Sequence, residues 1–414
     1  MKICVVTSHG LGEPRGIRHA LAARRAFPDA TVEFLHFRSD DAVSASAGPL
    51  LLQQNAIECR ALQVPTRDHS PINWLARKLV TRLARLTYLS TGVIYQAMFS
   101  ERTICLTRIL AAMPADLYFA HNFEALMPAA RAAKRNGSVL AFDCMEFYSD
   151  MGDGQRAEVS RAIAAIEAKY LPRCGLVVAA SPELSVAYAE AFGIKPPLTA
   201  YNTPPTCRQL PPRKGGALNL YWRNTVLGFG QRGLEDMLAA MVRLPPDVHL
   251  YLQGHLGHDG GVTLWQRIAD LGIGAKVSVL PPHPPGAAVT SAAQFDIGLC
   301  LERRGPRNHD LTVSNKLFDY HMAGLAVIAS DLPGLAAVIG QSGGGLLYEP
   351  GNVQALCLAV DALRRAPERL AELQHNARAF ALREANMEVE IGRVAEALRA
   401  SLSAPHPPAS VAGR

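Results

Sequence analysis

Short apolar strands alternate with helical segments along the whole of this 414-residue chain, and that alternation constrains the fold more than any other feature. Repeated strand–helix–strand units build parallel sheets with helices on both faces. Strand candidates in the first half are Lys2–Thr7, Thr31–His36, Leu117–Ala120, Val139–Phe142, Leu176–Ala180 and Leu198–Tyr201. In the second half they are Leu218–Trp222, Val248–Gln253, Lys276–Leu280, Ile297–Leu301, Leu325–Ala329 and Gly345–Tyr348. Between the halves runs Asn202–Gly216, rich in Pro, Gly and charge, a linker by composition. The expectation is an α/β chain of two doubly wound Rossmann-like domains facing across a cleft, with ligand at the carboxyl ends of the strands. The boundaries read as 1–205, a linker over 206–217, 218–384, a C-terminal helix over 385–402 packing back on the first domain, and a disordered Pro/Ala/Ser-rich tail over 403–414.

Hydrophobic residues make up 49% of the chain, enough for two separate cores. No run of about 18 apolar residues is present, and Met1 leads straight into a strand without a signal-peptide pattern, so the expected location is cytoplasmic. The eight cysteines are scattered without a Cys-x-x-Cys pair, which argues against zinc and a disulfide framework and reads as buried thiols. Net charge is +6, and residues 60–110 carry eight Arg/Lys against two acids, so this one segment holds the excess. Within it, over 74–86, Leu75, Leu79, Leu83 and Leu86 share one side of a helix and Arg77, Lys78, Arg82 and Arg85 the other, with Trp74 at its start. Two readings stand. Either the leucines enter the core and the arginines face water, or the helix docks on an anionic membrane surface, making the protein peripheral on its inner face.

The most informative stretch is Ser314-Asn-Lys-Leu-Phe-Asp-Tyr-His-Met-Ala-Gly-Leu-Ala-Val-Ile-Ala-Ser330. Ser314 is an N-cap, Leu317, Tyr320 and His321 fall on one face, Gly324 closes the helix, and a buried strand follows. Asn315, Lys316 and Asp319 then share its first two turns. A helix N-terminus with Lys316 favours a diphosphate, and Asp319 can accept two hydrogen bonds from a vicinal diol such as a nucleotide ribose.

With Ala-Val-Ile-Ala-Ser-Asp-Leu-Pro-Gly following, and with Gly230-Gln-Arg-Gly-Leu-Glu235, Phe295-Asp-Ile-Gly-Leu299 and Gly343-Gly-Gly-Leu-Leu-Tyr-Glu-Pro-Gly351, the chain resembles the family-4-like retaining glycosyltransferases of the GT-B fold over 1–402. The resemblance implies a nucleotide-sugar donor held by the second domain, an acceptor held by the first, and a retaining transfer needing no metal or cofactor. Arg232 and Lys316 would meet the donor diphosphate and stabilise it as a leaving group. Ser314, Asn315 and Asp319 would line the donor site. Asp319 stands where the family usually has its second glutamate, and Leu311 occupies the place of the first, with Glu302 or His309 as substitutes. In the first domain, Gly10 and Gly12 follow the first strand and let backbone approach the diphosphate or acceptor. Their spacing is not the dinucleotide fingerprint, which argues against nicotinamide. His121 matches a family contact to the reacting sugar, while Asn122 and Glu146 are acceptor-side candidates. The chain lacks the Asp-x-Asp chelating motif of the other large glycosyltransferase fold. A nucleotide-sugar epimerase of the same architecture and a non-catalytic nucleotide- or glycan-binding relative are the alternatives.

Overall fold

The computed structural model describes residues 1–11, 13–38, 48–64, 70–152, 154–230 and 232–403. The chain divides into two compact units, Met1–Ala200 with 391–403, and Tyr201–Glu390.

The first unit is built on seven strands, β1 (Lys2–Thr7), β2 (Thr31–Phe37), β3 (Glu58–Leu62), β4 (Leu117–His121), β5 (Val139–Cys144), β6 (Leu176–Ala179) and β7 (Leu198–Thr199). They lie in the order β3-β2-β1-β4-β5-β6-β7, and every neighbouring pair is parallel. The order reverses between β1 and β4, where the crossovers leave to opposite sides and open a crevice at the carboxyl ends. Register sets Thr7 beside His121 and His121 beside Asp143 at those ends. The core gathers Ile3, Val5, Phe34, Leu117, Phe119 and Ala141 with Val394, Ala395 and Leu398 of the helix Met387–Ser403. Arg399 of that helix donates from an Nη to the Arg25 carbonyl, at 2.7 Å. Ser403 is helical, and the rest of the expected tail, 404–414, lies outside the described residues.

The second unit holds β8 (Leu218–Leu227), β9 (Val248–Leu256), β10 (Val277–Leu280), β11 (Ile297–Cys300), β12 (Ala326–Ser330) and β13 (Gly345–Tyr348). Their order is β10-β9-β8-β11-β12-β13, again all parallel, with the switch between β8 and β11. Alternate residues point to opposite faces. Leu220, Trp222, Leu250 and Leu299 enter one core, and Tyr221, Cys300, Val327 and Ala329 the other. The Pro-rich stretch expected as a linker is a strap on this unit: Leu210 packs on the second core and Arg213 donates to the Gly324 carbonyl at 2.6 Å.

All twelve expected strands form. The additional one, β3, is an edge strand exposed over four of its five residues, so its Glu-Cys-Arg-Ala-Leu sequence carries little apolar signal. Cys59 on it is exposed, which corrects the expectation of buried thiols throughout; Cys4, Cys144, Cys300 and Cys357 are buried.

Candidate functional site

In the second unit, three charged side chains from separate segments converge beyond the switch between β8 and β11. Glu302 follows β11 and is buried. Its Oε1 lies 3.3 Å from an Arg232 Nη and 3.7 Å from Lys316 Nζ. Burial alone would push the Glu302 carboxyl up, but Lys316 and Arg232, with a hydrogen bond from Ser314, hold it below its ordinary range. Burial pulls the Lys316 ammonium down, and Glu302 opposes that pull. Two cations on one carboxylate leave a local excess of one positive charge.

Local sequence explains how each group arrives. Gly233 has φ +69°, and a Cβ there would lie 2.1 Å from the Leu301 carbonyl oxygen, so only glycine lets the loop after β8 pass against the end of β11. That approach carries Arg232 to Glu302. Trp222, wholly buried on β8, donates from its indole to the Arg232 carbonyl at 3.3 Å, and its ring lies 5.5 Å from Lys316 Nζ. Lys316 sits in the first turn of the helix Asn315–Met322, whose N-cap is Ser314. The Ser314 side chain makes no capping bond, so the positive end of the helix macrodipole lies beside Lys316 without a side-chain cap. Arg232 keeps 43% of its side chain exposed and Lys316 only 11%, so one cation reaches solvent and the other is enclosed. Asn315 is exposed at the helix start.

Asp319 is placed differently from expectation. Its Oδ2 accepts a hydrogen bond from an Arg223 Nη, and Arg223 reaches His283 Nε2 at 3.4 Å with its other Nη. A ribose diol would therefore share the carboxylate with Arg223, not hold it alone. The Arg223 backbone N–H also donates to the Tyr320 hydroxyl at 3.3 Å, tying β8 to the same helix. Leu311 ends the short helix Arg307–Leu311 within the polar segment after β11. His309 lies on that helix, half-buried.

In the first unit, the carboxyl ends of β4 and β5 and the helix Pro14–Ala26 deliver a buried cluster. Asp143 accepts Arg15 Nε at 2.9 and 2.8 Å with its two oxygens, and its Oδ2 lies 3.1 Å from His121 Nδ1. Burial would raise the Asp143 carboxyl, yet Arg15, then His19 and His121, hold it well below the usual carboxylate range. Burial also keeps the His19 imidazole neutral, its pKa lowered well below the ordinary value. His19, His121 and Asp143 have the donor types of a metal site. Both Asp143 oxygens already face the Arg15 guanidinium, whose positive charge would oppose a cation there.

His121 is fully enclosed, with its ring 5.1 Å from that of Phe119 and 4.9 Å from that of His19. Where the resemblance implied a contact to the reacting sugar, the ring here faces Phe119, His19 and Asp143. Asn122, one residue on, has φ +70°, a conformation that non-glycine residues rarely adopt. Its Oδ1 accepts from the Thr7 hydroxyl at 3.1 Å and its Nδ2 meets the exposed His9 at 3.4 Å. Glu146 is half-buried, and its carbonyl accepts from the Tyr188 hydroxyl at 2.9 Å.

The glycine-rich loop after β1 also departs from expectation. Glu13 caps the helix Pro14–Ala26 itself, accepting from the Arg15 and Gly16 N–H groups at 2.7 and 3.2 Å. The chain's own carboxylate thus occupies the place a phosphate would take. Gly10 is half-buried beside it, and Gly12 lies outside the described residues. Sequence reasoning missed Arg15, His19 and Asp143 as a cluster, and Arg223 as the partner of Asp319. Arg15 and His19 stand four residues apart on the helix Pro14–Ala26, and that spacing is the signal that would have found them.

No protein-family profile matches the chain, and no curated protein sequence does. Solved structures match it from end to end. Anabaena HepE, crystallised in complex with UDP, has a TM-score of 0.70 at 16% identity, over 97% of this chain and 100% of that one. A glycosyltransferase from Rickettsia africae has a TM-score of 0.67 at 12% identity, over 98% and 99% of the two chains. Sucrose-phosphate synthase from Thermosynechococcus elongatus has a TM-score of 0.65 at 15% identity, over 97% and 98%. The fold of this chain is that of the GT-B glycosyltransferases.

Proposed function

We propose that the chain is a glycosyltransferase that takes a sugar from a nucleotide-diphosphate donor and transfers it to a hydroxyl of a glycan or lipid-linked acceptor. The observation that carries this reading is the meeting of Arg232 and Lys316 on buried Glu302 beside the helix that starts at Asn315. An excess positive charge next to a helix N-terminus is the complement of a diphosphate. Likeness in fold to HepE, a protein crystallised with UDP, makes uridine diphosphate sugars the first donors to test.

In the reaction, the bond between the sugar's anomeric carbon and the diphosphate oxygen breaks, and a bond from that carbon to the acceptor oxygen forms. The acceptor's proton passes to the departing diphosphate oxygen on the same face, so configuration is retained. Negative charge grows on the diphosphate as the bond breaks. Lys316, held by Glu302, is preorganised to meet that charge, and Arg232 is free to swing from Glu302 onto it. The positive groups are the protein's own, and this route needs no metal or organic cofactor. Asp319, oriented by Arg223, is the ribose partner, with Ser314 and Asn315 at the helix start completing the donor side.

The first unit is the acceptor side, with Asn122, His9 and Glu146 as its polar groups near the ends of β4, β1 and β5. His121 acts there as a positioning residue through Asp143. A lipid-linked acceptor offers its hydroxyl at a membrane surface, which suits a peripheral enzyme on the cytoplasmic side in cell-surface polysaccharide or glycoconjugate synthesis. Incubation with a panel of UDP- and GDP-sugars, with and without glycan and lipid-linked acceptors, tests the reading by free nucleotide release. Acceptor-dependent release is expected. Isomerisation of the sugar from donor alone would identify an epimerase, and binding without turnover under every condition a non-catalytic relative.

A further inference from the structure

The helix Pro71–Thr91 presents its apolar side to solvent. Ile72, Leu75, Leu79, Leu83 and Leu86 recur at helical spacing, and each is between 53 and 83% exposed. Val80 and Leu89 widen the stripe, and Val93 and Tyr95 continue the exposed apolar surface beyond the helix. The orientation is fixed from the other side. Ala84 is buried against Met98 and Ala162, Tyr88 packs on that cluster, and Arg85 donates from Nε to the Met98 carbonyl at 2.9 Å. The leucines cannot turn inward without breaking those contacts. The reading in which they enter the core is therefore overturned.

A contiguous apolar stripe of this size on a surface helix marks a place where something other than water belongs. Charge says what. The helix carries Arg77, Lys78, Arg82 and Arg85 and no acid. Lys78 and Arg82 are exposed and fall along one border of the leucine stripe. On the inner side of that border lies a hollow of about 540 Å³ lined by Lys78, Arg82, Arg85 and Arg102, with Glu101 and Glu124 as its two acids. Trp74, also lining it, sits near the helix start with Lys78 Nζ 5.7 Å from its ring. An apolar stripe bordered by cations, with an aromatic ring at one end, fits the boundary between lipid headgroups and acyl chains. No helix among the described residues is long and apolar enough to cross a membrane, so the fit is to a surface.

We propose that the helix Pro71–Thr91 docks the protein on an anionic membrane surface. The leucine stripe enters the headgroup boundary, and the bordering Lys78 and Arg82 and the basic hollow face lipid phosphates. This deepens the lipid-linked branch of the function proposed above, yet it is tested without donor or acceptor, so either can fail while the other stands.

The test is co-sedimentation of the full chain with vesicles of phosphatidylcholine alone or with about 30% phosphatidylglycerol, at low and high salt. The protein is expected to sediment with the anionic vesicles at low salt, to release as salt rises, and to ignore the neutral ones. Leu79→Glu with Leu83→Glu, and separately Lys78→Glu with Arg82→Glu, should each weaken binding about tenfold or more while circular dichroism and nucleotide binding stay unchanged. If the first pair misfolds, Leu75→Ser with Leu86→Ser reads the same loss on the same stripe. No sedimentation with anionic vesicles at low salt overturns the proposal, as does binding that no stripe or border variant weakens. Concentration-dependent dimerisation in analytical ultracentrifugation that the leucine variants abolish would also overturn it, assigning the stripe to a second copy of the chain.

Discussion

Glu302 holds its two cations through burial, a property that its place in the string Glu302-Arg-Arg-Gly-Pro conceals. Read linearly, that string is a charged loop; in the fold its first residue is enclosed and the next two face outward, Arg303 pairing with Asp236 at 2.6 Å. Lys316, Ser314 and Arg232 were legible because each stands in a local pattern, a helix start or a glycine turn. Arg223 was not, because its link to Asp319 spans 96 residues and depends on sheet register. The same holds for Glu167, which is fully buried with Oε1 2.6 Å from the Tyr188 hydroxyl. Burial raises its carboxyl from an ordinary 4.5 to about 7. Below the lower value both folded and unfolded chains keep the proton, and above the upper both lose it. In between, only the folded state keeps it, so Glu167 makes stability fall as pH rises from about 4.5 to 7. Glu167→Gln should therefore raise stability at pH 8 by roughly 2–3 kcal/mol and change little at pH 4. Denaturant titrations at the two pH values check this; equal effects at both would contradict it.

At the scale of elements, the periodicity gave twelve of the thirteen strands and the helix Asn315–Met322 with near-correct bounds, because buried parallel strands are continuous apolar runs. The edge strand β3 escaped because one exposed strand need not be apolar. The basic helix shows a deeper limit: its spacing defines two faces, but which one turns inward depends on Met98 and Ala162, which lie outside the helix. Packing also fixes the helix Asn315–Met322. Gly298 on β11 faces Tyr320, and a Cβ there would lie 2.3 Å from the tyrosine ring, which is fully buried. Gly298→Ala should push the helix away from the sheet, destabilise the protein by about 2–4 kcal/mol and weaken nucleotide binding, although residue 298 lies beneath the site. Thermal melts with and without nucleoside diphosphate read both effects. A variant with unchanged melting and unchanged ligand response would show that this close approach is not required.

At the scale of the molecule, the two units repeat one architecture with opposite electrostatic treatment of a helix N-terminus. The first closes the helix Pro14–Ala26 with Glu13 and buries a compensated Arg15–Asp143 pair. The second leaves the helix Asn315–Met322 without a side-chain cap and gathers two cations on one carboxylate. That difference is why the diphosphate is proposed to bind the second unit. Isothermal titration calorimetry of the full chain with UDP, GDP, ADP and dTDP tests it most directly, comparing wild type with Lys316→Met. One of the diphosphates should bind saturably to the wild type, and the variant should bind it about tenfold or more weakly, a loss of about 1.4 kcal/mol or more. No binding of any of the four by the wild type, or equal binding by Lys316→Met, would contradict the account.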